Sequence, residues 1–307
     1  MTFSLLARDD ATGRLGLATA THAYGVGPVA DHTRAGVGVV ATQSFVEVSY
    51  GPLGLDLIER GTPAGEALDK LVAADPDSDI RQVAYLGTTG PVAHHTGARC
   101  VPSCGGLADG PVAAIGNMLD NDGVLPAVVQ AFRGADGDLA DRLLAGLAAG
   151  DEAGGDVRGR MSAALRVVTG EPPANPWQGT LVDLRVDLDP DPVGRLRESL
   201  RIHRAYGVFF ESVFAPGLVT GAEPVLGDDL EKALAGLAAT QVELGDDLEP
   251  TVWRGVLLLR AGRVEEGAAL IARGIAARPQ FARFVDGMAA TGMLPAGSAE
   301  ILRRAGQ

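Results

Sequence analysis

The order of strand-like and helix-like segments predicts an α+β protein: an αββα sandwich of antiparallel sheets between helical layers, followed by a small all-α domain. Blocks of strand-like segments alternate with pairs of amphipathic helices, which does not fit a regular βαβ alternation. Residues 37–48 form a nearly continuous apolar run, as in a strand that is buried on both faces. The β signal ends near residue 214, and the chain is helical from residue 228 onward.

The first half of the chain opens with a predicted hairpin. Residues 2–8 and 14–21 read as its two strands, joined by the turn Asp9-Asp10-Ala11-Thr12-Gly13. After the buried strand at 37–48, helices are expected at 53–59 and 63–74, the second with Thr62 as N-cap and Pro63 in its first turn. The next strands are predicted at 83–87, 92–96 and 112–118.

The second half begins with helices at 125–132 and 139–149. Strands are predicted at 162–168 and 181–188, and a helix at 193–206. Gly217, Gly221 and Pro224 then indicate an exposed linker. We therefore expect two domains, residues 1–215 and 225–307, and we expect residues 1–215 to fold alone.

Composition excludes several functional classes. The 307 residues carry a formal net charge of -13, which disfavours binding to nucleic acid. The only lysines are Lys70 and Lys232, and neither lies in the context of a P-loop or of a Schiff-base lysine. The chain shows no apolar run long enough for a membrane span and no signal peptide at residues 1–4, so we expect a cytoplasmic protein without membrane contact.

We expect no metal and no cofactor. Cys100 and Cys104 are spaced C-x3-C without a second pair, so they cannot build a four-ligand zinc site alone. Asp187, Asp189, Asp191 and Glu198 have the spacing of a calcium loop, but Pro192 replaces the glycine that such a loop requires. These acidic residues are better interpreted as caps of the helix that follows.

Thr2 is the first candidate for chemistry. Methionine is normally removed before a small residue, which would leave Thr2 with a free α-amine beside its hydroxyl. Such an amine titrates at about 7.7 to 8.0 and can take the hydroxyl proton during attack on a carbonyl. Strand alternation puts Ser4 on the same face, and the hairpin brings Thr2 opposite residues 19–22, so Thr21 and His22 are candidates to orient it. The alternative is an ordinary strand start.

Several motifs resemble domain-of-unknown-function family 1028, over about residues 1–206. They are Met1-Thr2-Phe3-Ser4, Ala41-Thr42-Gln43-Ser44-Phe45, Gly116-Asn117-Met118-Leu119, Gly154-Gly155-Asp156-Val157-Arg158-Gly159, and Asp183-Leu184-Arg185-Val186-Asp187. The resemblance implies the N-terminal-nucleophile (Ntn) hydrolase superfamily. Its members share the αββα sandwich and cleave amide bonds with the first residue of the mature chain.

In this resemblance Thr2 takes the nucleophile position. Many superfamily members hold a lysine beside the nucleophile; here a positive charge that lowers the pKa of the amine would come from Arg158, Arg8 or protonated His22, and we favour Arg158. Asp156 could bind the amine or fix the guanidinium of Arg158; the alternative is a salt bridge internal to the loop.

Asn117 could donate its amide to an oxyanion, and the alternative is a turn-forming asparagine. The family often has glutamine where this chain has Met161, so we expect no polar role at that position.

Residues 225–307 contain the small and large residues of a tetratricopeptide-like helix pair, from Gly255 to Pro279. The functional interpretation is a docking groove for a protein or peptide; the structural one is a cap or a dimerisation element. A homo-oligomer is compatible with the sequence.

The sequence therefore predicts an Ntn-type amidohydrolase that cleaves a small-molecule or peptide amide, with Thr2 as nucleophile and its own amine as base. The alternative is a catalytically silent Ntn-fold scaffold whose C-terminal helices recruit a protein partner.

Overall fold

A computed structural model describes residues 2–214, 226–295 and 298. The strands are β1 Thr2–Arg8, β2 Leu15–Thr21, β3 Asp31–Arg34, β4 Gly38–Ser44, β5 Arg81–Gly87, β6 Ala93–Thr96, β7 Gly105–Asp109, β8 Val112–Asn117, β9 Ser162–Val168 and β10 Thr180–Val186. The helices are α1 Gly27–Ala30, α2 Tyr50–Glu59, α3 Ala64–Ala74, α4 Val124–Gly134, α5 Leu139–Glu152, α6 Pro192–Val213, α7 Asp228–Leu244, α8 Glu249–Arg260, α9 Val264–Ala277 and α10 Phe281–Ala290.

The strands form two antiparallel sheets, which confirms the mixed α+β class. The first has the order β10-β9-β2-β1-β8-β7, and the second has the order β3-β4-β5-β6. The predicted hairpin is present as β1 and β2, and the buried apolar run forms β4 in the interior of the second sheet. The short strands β3 and β7, which lie at sheet edges, were not predicted from the sequence. Thr62 is not the N-cap of α3, because that position belongs to Pro63 and carries no side-chain cap bond.

A hydrophobic cluster between the two sheets draws residues from both of them. Its members include Leu6 and Leu17 from the first sheet and Val39 and Leu86 from the second, and all four side chains are fully buried. Period-2 alternation then turns the even-numbered residues of β1 toward the second sheet. This orientation decides which way Thr2 points.

Helices cover the other face of each sheet. Helices α2 and α3 contact β4 and β5, while α4 and α5 contact β8, β1 and β2. The approach of α5 depends on two glycines: a Cβ at Gly146 would lie 2.6 Å from Leu5, and one at Gly150 would lie 2.7 Å from Phe3. Because the odd-numbered residues of β1 pack against this helix, β1 is held from both sides.

The chain divides into two compact units, Met1–Glu198 and Ser199–Gln307. The division falls inside α6, which runs beyond the end predicted from the sequence. The N-terminus of this helix is capped as expected, since Asp191 Oδ1 accepts from the Gly194 amide at 3.2 Å. The predicted linker at residues 217–224 lies outside the described residues.

The second unit is helical. Phe209 and Val213 near the end of α6 are buried in a cluster with residues of α7 and α8. Helices α8 and α9 pack closely through glycines, because a Cβ on Gly255 would lie 2.8 Å from the Gly267 carbonyl oxygen. No helix in the described part of the chain has the length and apolarity needed to cross a membrane.

Truncation of Leu6 tests the core between the sheets. Leu6 is fully buried, so we expect Leu6→Ala to lower the free energy of unfolding by about 3 kcal/mol, through lost burial and the cavity left behind. Leu188, which is 68% exposed, is the matched control, and Leu188→Ala is expected to change stability by less than about 0.5 kcal/mol. Urea denaturation followed by circular dichroism measures both. Equal losses in the two variants would contradict this core assignment.

Candidate active site

Thr2 lies in a row of polar side chains that crosses the first sheet. The register pairs Thr2 with Thr21 on one side and with Asn117 on the other, and Thr21 pairs in turn with Ser162. All four are buried, although Thr2 keeps 9% of its surface exposed. The Oγ1 atoms of Thr2 and Thr21 lie 3.1 Å apart and share a hydrogen bond. A candidate nucleophile thus sits at the polar end of an otherwise apolar space between the sheets.

Two glutamines from the second sheet reach this row. Gln43 on β4 donates through Nε2 to the Thr2 carbonyl oxygen at 3.0 Å and to Gln82 Oε1 at 2.7 Å. Gln82 on β5 donates through Nε2 to the carbonyl oxygens of Gly105 and Gly116, at 3.1 and 2.8 Å. Backbone carbonyls therefore fix the orientation of both amides, which in turn fix the backbone of Thr2.

Asn117 completes this chain of amides. Its Nδ2 donates to Gln82 Oε1 at 3.0 Å, which uses one of its two hydrogens. Its Oδ1 is buried and has no hydrogen-bond partner among the described residues. Since an unpaired buried acceptor is costly, this oxygen is available to a donor that arrives beside Thr2.

Asp156 ties the glycine-rich loop to the end of β2. The His22 amide donates to its Oδ2 at 2.6 Å, and the Arg158 amide donates to its Oδ1 at 2.8 Å. The Arg158 guanidinium also binds both carboxylate oxygens, at 3.3 and 3.2 Å. The Asp156 carboxylate is almost fully buried, whereas the Arg158 side chain is 39% exposed. This is the bidentate pair that the sequence indicated, and it lies within the loop.

The predicted cations do not all lie near Thr2. Arg8 is at the far end of β1, where it binds the Gly90 carbonyl oxygen and Asp10, so it cannot influence the Thr2 amine. The His22 ring lies 3.3 Å from the Arg160 carbonyl oxygen through Nδ1, and its backbone amide is the group that binds Asp156. Arg158 therefore stays the residue that the sequence favours as the source of positive charge near the Thr2 amine.

Apolar side chains are exposed in the loops at the Thr2 end of the sheets. Tyr24 follows β2 and is 73% exposed, Phe45 follows β4 and is 54% exposed, and Val157 in the glycine-rich loop is 61% exposed. Such a concentration of exposed apolar side chains is typical of a binding surface.

Two residues at this end have left-handed backbone conformations. Ser44 follows Gln43 with a φ of 71°, and Met118 follows Asn117 with a φ of 51°. Neither residue is a glycine, so each conformation is strained. The backbone therefore turns sharply immediately after Gln43 and Asn117, whose side chains belong to the chain of amides.

Of the site residues predicted from the sequence, the structure brings Thr2, Thr21 and Asn117 into one row. The others, His22, Asp156 and Arg158, meet where the glycine-rich loop contacts the end of β2. Gln82 was not predicted as a site residue, and Gln43 was named only within a motif. A buried glutamine inside an apolar strand was the available signal, because such a side chain needs partners.

Cys100 and Cys104 are free thiols. Within residues 2–214 and 226–295, no three His, Cys, Asp or Glu side chains are grouped so that they could hold a metal ion.

Comparisons with known proteins agree with this architecture. A family model described as a family of unknown function, DUF1028, matches residues 2–196. A DUF1028 protein from Silicibacter pomeroyi, known from a crystal structure, shares 29% sequence identity with this chain. The two structures superpose with a TM-score of 0.59, and the match covers 74% of this chain and 93% of that one. No curated protein matches the sequence.

Replacement of Gln82 tests the amide chain. Gln82→Leu would remove the hydrogen bonds that the Gln82 amide makes to the carbonyl oxygens of Gly105 and Gly116 and to the Asn117 amide. We expect a loss of about 3 kcal/mol in unfolding free energy, since each unsatisfied buried group costs about 1–3 kcal/mol. Gln178→Leu, at an exposed glutamine, is the control and should be nearly neutral. Similar denaturation midpoints for the two variants would show that the buried amides contribute little.

Proposed function

The chain belongs to the DUF1028 family of unknown function, and we propose that its first unit is an Ntn-type amidohydrolase with Thr2 as the nucleophile. The observation that carries the proposal is the position of the Thr2 hydroxyl. It stands at the first residue of a central strand, bonded to Thr21 and paired in register with Asn117, at the polar end of the space between two sheets. Helices on the outer faces of both sheets also support the αββα arrangement that the resemblance implies.

The proposed chemistry needs a free α-amine on Thr2, produced by removal of everything that precedes it. This amine takes the proton of Oγ1 while Oγ1 bonds to the substrate carbonyl carbon. The resulting ammonium then gives a proton to the leaving nitrogen as the C–N bond breaks, and an ester on Thr2 remains. Water attacks this ester with the amine as base, which releases the carboxylic acid and restores the hydroxyl.

Asn117 is suited to assist from both ends of its amide. The second Nδ2 hydrogen can stabilise the oxyanion of the tetrahedral intermediate, as proposed from the sequence. The unpartnered Oδ1 can accept from the Thr2 amine, which gains hydrogens when it becomes terminal. Gln82 keeps the two ends of this amide from exchanging places, because its Oε1 accepts from Nδ2.

Asp156 and Arg158 are proposed to hold the loop beside Thr21 and to present a guanidinium at the edge of the site. Because Asp156 balances the charge of Arg158, the pair lowers the pKa of the Thr2 amine less than an unpaired arginine would. The exposed part of Arg158 is then better suited to contact the substrate. The neighbouring apolar loops favour an amide with an apolar or aromatic group.

Substitution of Thr2 tests the nucleophile. We expect an intact mass equal to that of a chain starting at Thr2, and acylation of this residue by p-nitrophenyl acetate, with nitrophenol as the leaving group. Thr2→Ala should abolish acylation and the turnover of a panel of acyl anilides while the unfolding midpoint stays close to that of the parent protein, because a small hydroxyl is lost. Thr2→Ser, which keeps a hydroxyl, is the matched control and should remain active.

Acylation of Thr2→Ala at the parent rate would exclude Thr2 as the nucleophile. A retained residue before Thr2, with no acylation of any variant, would favour the alternative of a catalytically silent scaffold.

Substitution of Arg158 tests the bidentate pair. Arg158→Lys keeps the charge but loses the planar fork that holds both Asp156 oxygens, so kcat/KM is expected to fall about tenfold or more, the equivalent of one charged hydrogen bond. Arg160→Lys in the same loop is the control and should have a much smaller effect. Turnover of the same anilides compares the two, and parent-like kinetics in Arg158→Lys would leave Arg158 with a structural role only.

A further inference from the structure

Asp31 is a buried acid outside the proposed catalytic set. It is the first residue of β3 and is 1% exposed. Its Oδ1 lies 2.7 Å from Thr19 Oγ1, and its Oδ2 has no hydrogen-bond partner among the described residues. A lone carboxylate in such a place would be strongly destabilising.

The nearby charges balance without Asp31. Arg166 on β9 donates through Nη1 to the Asp31 backbone carbonyl oxygen at 2.9 Å, and its Nε lies 3.3 Å from Asp183 on β10. Arg166 is therefore paired with Asp183, and an ionised Asp31 would add a second negative charge to a single positive one. The surroundings favour a neutral Asp31.

A chain of hydrogen bonds connects Asp31 to Thr2. Beyond the Asp31–Thr19 contact, Thr19 Oγ1 lies 2.8 Å from Ser4 Oγ, and Ser4 Oγ lies 2.6 Å from Gln43 Oε1. Gln43 Nε2 then donates to the Thr2 carbonyl oxygen at 3.0 Å. Every member is buried, and the path runs from β3 through β2 and β1 to β4 and back to Thr2.

The number of hydrogens in this chain fixes its direction. Gln43 must direct Nε2 toward Thr2 O and Gln82 Oε1, because both are acceptors, so its Oε1 must accept from Ser4. Ser4 has a single hydroxyl hydrogen and donates it to Gln43 Oε1. Thr19 must therefore donate its only hydrogen to Ser4, and the hydrogen between Thr19 and Asp31 must come from Asp31.

We propose that Asp31 is a protonated carboxylic acid in the folded protein and acts as a positioning residue for Thr2, as the donor at the head of the chain Asp31–Thr19–Ser4–Gln43–Thr2. The pKa of Asp31 is raised to about 7, chiefly by burial; the nearby charge of Asp183 also raises it, and that of Arg166 lowers it. The positioning role rests on the function proposed for Thr2, whereas the protonation of Asp31 does not.

The proposal predicts a pH dependence of stability. An unfolded aspartate loses its proton near pH 4, whereas folded Asp31 keeps it to about pH 7. Between these values the folded state binds the extra proton, so the stability contributed by Asp31 falls as pH rises from about 4 to about 7 and is constant above. Above pH 7 the ionised acid also leaves Thr19 and Ser4 with one hydrogen too few.

Asp31→Asn tests this prediction, since its amide donates to Thr19 as the protonated acid does but does not titrate. Relative to the parent protein, its unfolding temperature is expected to rise steadily from pH 5 to pH 7 and then level off. Asp122→Asn removes the same charge from an exposed carboxyl in the turn before α4 and serves as the control, which is expected not to show this rise. A pH-independent loss of stability in Asp31→Asn would mean that Asp31 is ionised, and would overturn the proposal.

A second measurement does not depend on the folding of that variant. In protein labelled with ¹³C at aspartate carboxyls, one carboxyl should titrate near pH 7 and another near pH 6, because burial raises the pKa of Asp151 to about 6. Asp151→Asn should remove the second signal and keep the first. If no aspartate titrates above pH 6 in Asp151→Asn, the proposal is wrong, whether or not the protein hydrolyses amides.

Discussion

The pairing of β1 with both β2 and β8 is the constraint on which the candidate site depends. A shift of one residue in either register would turn Thr2 toward α5 and move it out of line with Thr21 and Asn117. The register is enforced by packing on both faces of β1, with Leu6 in the core between the sheets and Phe3 against a glycine of α5. The position of the hydroxyl is therefore a property of the whole sheet.

The buried polar side chains of the Thr2 row lose their contact with water, which destabilises the folded state. Hydrogen bonds from the second sheet offset this loss. Gln43 and Gln82 serve this purpose, and backbone carbonyls fix the orientation of each. The same network leaves the Asn117 oxygen unsatisfied. An unpaired buried acceptor beside a candidate nucleophile is what a site prepared for an incoming donor would contain.

The sequence predicted those parts of the structure that depend on local order. A short turn brings residues 2 and 21 together, and β9 has the bounds expected from its apolar run. The short edge strands β3 and β7 were missed, because their few polar or glycine residues show no apolar alternation, although each pairs with the next strand along the chain. The contacts of Gln43 and Gln82 with the Thr2 row, and of Asp31 with Thr19, could not be predicted, because they join the two sheets and depend on how the sheets pack.

The left-handed residues Ser44 and Met118 bear on how such a protein can change over time. Glycine would adopt either conformation without strain, so selection for stability alone would favour glycine at both positions. A side chain at each place instead limits the backbone motion of the segment that follows Gln43 or Asn117. Glycine at these two positions would therefore remove backbone strain but allow the segments beside Gln43 and Asn117 more motion. A thermostable relative with glycine at both would hold its site less rigidly.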